Sequence, residues 1–249
     1  MWSLDRHSAV PAWRVAHPLR GAVLAFSTRQ GGVSEGPYQS LNIGRSTLDR
    51  PEAIEENRRR LLLSLGLDPA RLATAGQVHG AVAKTVSAPG LHPDCDALVT
   101  RVPGITLAVT AADCLPILYA VPGAIAVAHS GWRGTASGAP EAALAAVCDA
   151  GRADPGATTV HLGPCIRSCC YQVGPDVAAR FPEAAVRREN QALYLDLPLA
   201  ARLRLEAAGV PPPAIHDTGA CTACNPEWYF SHRRDHGLTG RQWGLAALR

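Results

Sequence analysis

The sequence predicts an α+β fold in which helices cover mixed or antiparallel β-sheets. Three observations predict it. Five short β-type runs between residues 81 and 128 are punctuated by Pro-Gly dipeptides. Three helical stretches stand among the strands without a strict strand-helix alternation. Of the 249 residues, 47% are apolar and 18% charged, which excludes a disordered chain and supplies a large core. No Gly/Ser-rich or Pro-rich linker divides the chain and no repeat recurs at a fixed period, so one domain over residues 1–249 is expected.

The elements follow in chain order. Ala22 to Ser27 is an apolar strand run, and Thr28-Arg29-Gln30-Gly31-Gly32 after it reads as a tight loop that exposes backbone. From Pro51 to Leu65 the residues Ala53, Ile54, Leu61, Leu62 and Leu65 recur at helical spacing, with Pro at the start and Gly66 past the end. The β-type runs are Ala81 to Val86, Ala97 to Thr100, Ile105 to Thr110, Ile117 to Val121 and Ala124 to Ala128, with turns at Pro89-Gly90, Pro103-Gly104 and Pro122-Gly123. Gly138 to Ala150, rich in Ala and Leu with Pro140 in its first turn, predicts a second helix ending at Gly151. A strand over Thr158 to Leu162, a helix over Pro198 to Ala208, and short apolar segments at Ala214 to His216 and Trp243 to Leu248 complete the chain.

Charge narrows the function classes. The formal net charge is +3, and Lys84 is the only lysine beside 23 arginines with no basic run longer than Arg58-Arg59-Arg60. That pattern argues against a nucleic-acid or membrane-surface partner. Met1 to Leu24 carries Asp5, Arg6, Arg14, His17 and Arg20, which no secretory leader tolerates in its apolar core, so the expected location is the cytoplasm. The apolar stretch from Ile105 to Ala128 is broken by Asp113, Pro116, Pro122 and Gly123 into strand-length pieces, and reads as buried sheet rather than a membrane span. Eight cysteines in such a chain point to thiol chemistry or metal binding before disulfides.

Three segments end apolar runs with metal-ligating side chains: Gln77-Val78-His79-Gly80, Ala112-Asp113-Cys114, and His129-Ser130-Gly131-Trp132-Arg133-Gly134. Two imidazoles and a thiolate suit zinc, and three protein ligands leave a position for water or substrate. The separations of 35 and 15 residues are long, so these side chains meet only if the fold gathers them; otherwise His79 and His129 are turn histidines and Cys114 a buried thiol. A cysteine beside histidines also fits a thiolate nucleophile with His129 as base, which defines a cysteine amidase or deamidase as the alternative enzyme. Asp113, next to Cys114 in a strand and so on the opposite face, is read as structural unless a bulge intervenes. Cys221-Thr222-Ala223-Cys224 has zinc-knuckle or redox spacing that two of Cys165, Cys169 and Cys170 would complete; the simpler reading is reduced, packed thiols, with Cys95 and Cys148 in the core. Trp132, Trp228 and Tyr229 are candidates for stacking on a ligand or for anchoring the core.

The chain resembles the laccase-domain family, also known as multicopper polyphenol oxidase-like proteins, purine nucleoside phosphorylases or peptidoglycan editing factors. The likeness rests on Phe26 to Ser34, Ser40-Leu41-Asn42-Ile43-Gly44, Asn57-Arg58, Gln77 to Gly80, Asp96 to Thr100, Ala112 to Pro116 and His129 to Gly134. Gly163-Pro164-Cys165-Ile166, Cys170 to Gly174, Ser231 to Asp235 and Thr239 to Gln242 extend it nearly end to end. The resemblance implies a layered α-β-β-α fold with mixed sheets, similar to cysteine hydrolase-like toxins, and one zinc held by His79, Cys114 and His129. It also implies phosphorolysis of adenosine, inosine, guanosine and methylthioadenosine, with hydrolytic deamination of adenosine, so the implied partners are a purine nucleoside and phosphate.

Phosphate needs cationic or backbone N–H donors opposite the ribosyl carbon. The candidates, in falling order, are Arg133 beside His129, Arg29 in the Gly-rich loop and Arg58 on the first helix, with Asn42 offering an amide to a ribose or purine edge. Copper-oxidase activity is the least expected enzymatic reading, because the chain has nine histidines and no His-x-His pair. A non-catalytic partner stabilised by zinc is the remaining alternative. Nothing in the sequence specifies the oligomeric state.

Overall fold

A computed structural model of the chain describes residues 2–15 and 21–249. His17 and Arg20, counted above among the N-terminal charges, lie outside the described residues. The chain begins with strands β1 (Trp2–Asp5), β2 (Ala12–Val15) and β3 (Ala22–Ser27), followed by helix α1 (Pro51–Ser64). Seven strands come next: β4 (Leu72–Ala75), β5 (Ala83–Thr85), β6 (Gly90–His92), β7 (Ala97–Thr100), β8 (Thr106–Ala111), β9 (Leu115–Val121) and β10 (Ala124–Ser130). Helices α2 (Trp132–Ala136) and α3 (Ala139–Gly151) lead to β11 (Thr159–Leu162), β12 (Gln172–Val173), α4 (Pro175–Ala178), β13 (Val186–Glu189) and β14 (Ala192–Leu195). Helix α5 (Leu197–Ala207), β15 (Ile215–Asp217) and β16 (Gln242–Leu248) close the chain.

The strands form a seven-stranded sheet in the order β1-β2-β3-β16-β8-β4-β6, a six-stranded sheet in the order β15-β11-β9-β10-β7-β5, and a small three-stranded sheet of β12, β14 and β13. Both large sheets mix parallel and antiparallel pairs. Side-chain alternation explains how they stack. In β9 the residues Ile117, Tyr119 and Val121 face one apolar layer while Leu118 and Ala120 face another, so the strand is buried on both sides. Leu24, Phe26, Leu107 and Val109 of the first sheet meet Leu98, Leu118, Ile125 and Val127 of the second between the sheets. Leu61, Leu62 and Leu65 of the α1 region cover the outer face of the first sheet at Ala25, Ala108, Trp243 and Leu245. Leu144 and Val147 of α3, with Ala201 and Leu205 of α5, cover the outer face of the second. The result is the α-β-β-α layering that the resemblance implied. Each fully buried leucine in these layers contributes roughly 1.5–3 kcal/mol through burial.

Local features differ from the sequence reading in three places. Gly104 and Gly123 turn the chain with positive φ as expected, but Gly90 opens β6, which pairs in parallel with β4. Two N-terminal strands and the β12–β14 sheet lack a strong alternating pattern and were not expected. Residues 112–114 form a bend between β8 and β9 rather than a strand end, because Asp113 takes a φ of 87°. Among the described residues no helix is long and apolar enough to cross a membrane.

Register then delivers the ligands. In the β9–β10 hairpin Pro116 lies opposite His129 and Leu115 opposite Ser130, so Cys114 and His129 end on the same sheet edge. Pairing of β10 with β7 sets Ala128 against Ala97, and the His129 N–H donates to the Asp96 carbonyl over 2.8 Å. The loop leaving β4 crosses the same edge at residues 76–80.

Candidate metal centre

His79, Cys114 and His129 converge, with their ligand atoms all within 4.8 Å of one another. The two imidazole rings meet edge to face, with centroids 4.9 Å apart. Asp96 is the organising residue. One carboxylate oxygen accepts from His129 Nδ1 over 2.8 Å, which leaves Nε2 as the metal-facing nitrogen. The same carboxylate accepts the backbone N–H groups of Val78, His79 and Gly80 at 3.2, 3.0 and 2.7 Å. It thus orients one ligand through its ring and another through its backbone.

That support is needed because His79 and Gln77 take left-handed φ values of 61° and 52°, a region that non-glycine residues rarely occupy. Gln77 is fixed by its own side chain: its amide N–H donates to the Thr110 carbonyl at 2.7 Å, and its Oε1 accepts from the Thr110 N–H at 2.8 Å. Gly131 is required by proximity, since a Cβ there would lie 2.8 Å from Cys114 Sγ.

Electrostatics favour a charged pair when no metal is bound. Burial pushes the Cys114 thiol up, but the His129 imidazolium and hydrogen bonds from both histidines outweigh it and bring the thiol down to about 6. Burial lowers the His129 pKa, yet the Cys114 thiolate and Asp96 raise it to about 9. Cys114 and the two histidines would give up these protons to hold a metal, which would then be the cation facing the thiolate. The His₂Cys donor set, a fixed histidine tautomer and a buried carboxylate behind it fit a borderline divalent ion, and three donors leave a position open.

His79, Cys114 and His129 line a cavity of about 670 Å³ together with Trp132, Tyr171, Leu91 and His232, among others. Five arginines line it, namely Arg45, Arg58, Arg133, Arg233 and Arg241, and Asp113 is the one carboxylate among the described lining residues. Both Asp113 oxygens are engaged: one accepts the Thr222 hydroxyl at 2.6 Å and the other the Arg233 backbone N–H at 2.7 Å. Asp113 is therefore a brace, although a bend rather than a strand places it at the cavity with Cys114 instead of on the opposite face. Arg45 is held by Glu55 in a paired hydrogen bond, and Arg233 donates to the Gln172 carbonyl. Arg133 stacks its guanidinium over Trp132 at 4.4 Å, and no carboxylate pairs with it among the described residues.

The remaining sequence candidates separate. Arg58 reaches the cavity, but its Nε donates to the Ile43 carbonyl and its guanidinium lies over Trp243, so it is anchored rather than free. Burial lowers its pKa to about 10. Arg29 is not at the cavity; it donates to the Gln39 and Pro226 carbonyls and stacks over Phe230, joining the Gly-rich loop to the C-terminal segment. Asn42 is fully buried behind the wall. Its amide donates to Thr47 and Asp49, and its carbonyl accepts the backbone N–H groups of Gly44 and Arg241. Its geometry positions Arg241 instead of offering an amide to a ligand. Trp132 lines the cavity, whereas Tyr229 accepts the Trp13 indole N–H at 2.6 Å and Trp228 lies under Arg6, both away from it.

Sequence reasoning missed Asp96, Gln77, Tyr171 and Arg241 as site residues. Asp96 alone left a local signal, a carboxylate opening a fully apolar strand, where a charge demands partners. The others depend on loops that only the fold brings to the cavity.

The chain is thus a layered two-sheet protein with a His-Cys-His group that could hold a metal, set in an arginine-lined cavity of small-molecule size. The chain belongs to the laccase-domain family, described as multi-copper polyphenol oxidoreductase laccase, whose profile matches residues 23–249. It is 40% identical over 232 residues to a purine nucleoside phosphorylase from Deinococcus radiodurans, covering 90% of this chain and 88% of that protein. It is 36% identical over 241 residues to purine nucleoside phosphorylase YfiH from Escherichia coli, covering 93% and 95% respectively. The crystal structure of YlmD from Geobacillus stearothermophilus superposes with a TM-score of 0.93 at 35% identity, covering 99% of this chain and 98% of that one.

Proposed function

We propose that this protein is a zinc-dependent purine nucleoside phosphorylase of the cytoplasm that also deaminates adenosine. Adenosine, inosine, guanosine and methylthioadenosine are its proposed substrates. The observation that carries the reading is the joining of three candidate metal donors to one cavity with Arg133, a cation that has no carboxylate partner among the described residues. The purine nucleoside phosphorylase names of the relatives support it.

His79, Cys114 and His129 would hold the zinc, which when bound would supply Lewis acidity and lower the pKa of water. Asp96 holds the proton on His129 Nδ1 and so keeps Nε2 directed at the metal. Arg133, pre-oriented over Trp132, binds phosphate through charge-assisted hydrogen bonds, and Arg241 and Arg58, which line the same cavity, add positive potential. Tyr171, Trp132 and Leu91 supply the apolar surface on which a purine rests while water is excluded. Such a cavity favours dispersal of negative charge onto the departing base and holds phosphate against the oxocarbenium-like ribosyl carbon.

The test is chromatography of adenosine incubated with metal-quantified protein, with and without phosphate. Adenine and ribose 1-phosphate formed only with phosphate support the reading, and inosine formed without phosphate supports the deaminase activity. Neither product from fully zinc-loaded protein overturns it. One observation favours a second reading: Asp96, His129 and Cys114 form a carboxylate-imidazole-thiolate relay in the metal-free chain, the machinery of a cysteine amidase acting on peptidoglycan precursors. The two readings differ in sign, because stripping the metal abolishes phosphorolysis and unmasks amidase turnover.

A further inference from the structure

Four cysteines that the cavity does not use gather on two turns outside the large sheets. Cys169 and Cys170 lie in the turn before β12, and Cys221 and Cys224 in the turn after β15. All four sulfurs lie within 4.8 Å of one another, with Cys224 Sγ 3.4 Å from Cys169 and 3.2 Å from Cys170, and none forms a disulfide. With zinc–sulfur bonds near 2.3 Å, a tetrahedral site separates its sulfurs by about 3.8 Å, so small side-chain rotations complete the geometry.

The turns are built to present these sulfurs. Tyr171 and Cys170 both donate backbone N–H groups to the Arg167 carbonyl at 2.8 Å, closing the first turn. In the second, Asn225 donates its amide to the Cys221 carbonyl at 2.7 Å. Two arginines tie down the backbone of these turns: Arg187, paired with Glu189, donates to the Ser168 carbonyl, and Arg234, paired with Asp235, donates to the Thr222 carbonyl.

We propose that Cys169, Cys170, Cys221 and Cys224 form a second metal site, a closed tetrathiolate that binds zinc and clamps the two turns together. Binding replaces the thiol protons, which leave to solvent, with four sulfur–metal bonds and involves no oxidant. The clamp matters for the cavity because each turn carries one of its supports. Tyr171, which follows Cys170, lines the cavity, and Thr222, which follows Cys221, braces Asp113 beside Cys114. The site is independent of the reaction performed at the first centre.

The test is metal analysis of the full chain purified under reducing conditions and supplied with zinc. Wild type is expected to hold two zinc ions per chain and Cys114→Ala one. Cobalt loaded into Cys114→Ala should give the intense visible absorption of a four-thiolate tetrahedral site, lost in the Cys169→Ser/Cys224→Ser background. X-ray absorption of the zinc-loaded wild type, which needs no variant to fold, should give about 2.5 sulfurs per zinc, against about 1 if only the first centre is filled. One zinc per wild-type chain with about 1 sulfur, or a disulfide joining Cys224 to Cys169 or Cys170 in the freshly purified protein, overturns the proposal.

Discussion

The two clusters of soft ligands in this chain rest on different supports. His79, Cys114 and His129 sit at the edge of the stacked sheets, tied by Asp96 to the strand register and open to a cavity. Cys169, Cys170, Cys221 and Cys224 sit on turns, with Cys169 and Cys224 exposed, and hold one another rather than a ligand. Three donors with an open position suit chemistry, and four donors that close the shell suit scaffolding. The difference teaches that ligand count alone does not mark an active centre; access, and the charge lining that access, does.

The largest expected effect comes from Cys114→Ala. It should empty the first centre, leave the second filled, and lower phosphorolytic kcat/KM on the order of 10³-fold, the scale of losing one pre-organised electrostatic group. Metal quantification alongside chromatographic turnover measures both, and undiminished turnover breaks the division of roles. Asp96→Asn should weaken metal affinity at the first centre by roughly 10–100-fold without touching the second; competition with a chromophoric chelator reads this. Arg133→Ala should raise the KM for phosphate by roughly 10-fold or more, as expected for a lost charge-assisted hydrogen bond, while Tm stays near wild type. An unchanged phosphate dependence moves the anion site to Arg241 or Arg58.

The smallest effect is on stability against pH, in metal-free protein. His129, raised to about 9, contributes stability that is complete below its ordinary value of 6.5 and is lost as pH rises through 9. Cys114, lowered to about 6, contributes stability that is complete above its ordinary value of 9.0 and is lost as pH falls through 6. Between about 6.5 and 9 the falling His129 contribution and the rising Cys114 contribution offset each other, so the wild-type Tm should change little, whereas Cys114→Ala, left with His129 and Asp96 alone, should lose Tm as the pH rises. Calorimetry across that range checks it, and identical profiles for the two proteins would remove the thiolate-imidazolium pair from the account.

Much of this was legible locally. The α1 helix is marked by Pro51, by leucines at helical spacing and by Gly66, and the structure ends it at Ser64, one residue before the predicted end. β9 and β10 were legible as apolar runs, although each is longer than predicted because hairpin pairing carries the ladder to Leu115 and Ser130. The N-terminal strands and the β12–β14 sheet were not legible, since their pairing partners supply what their own patterns lack. Arg29 and Asn42 sit in motifs that suggest ligand contact, and the fold uses both to tie segments together.

By itself the sequence determined the three long helices and most strands of the two large sheets, the apolar alternation that lets those sheets share a core, and the soft character of the candidate ligands. These are short-range properties, set by side-chain chemistry and by the periods of helix and strand. Only the tertiary structure decided that His79, Cys114 and His129 meet, that Asp96 stands behind them, and that four distant cysteines face one another. Those facts depend on strand register and loop closure, and a shift of one residue in the β9–β10 ladder would turn His129 to the opposite face.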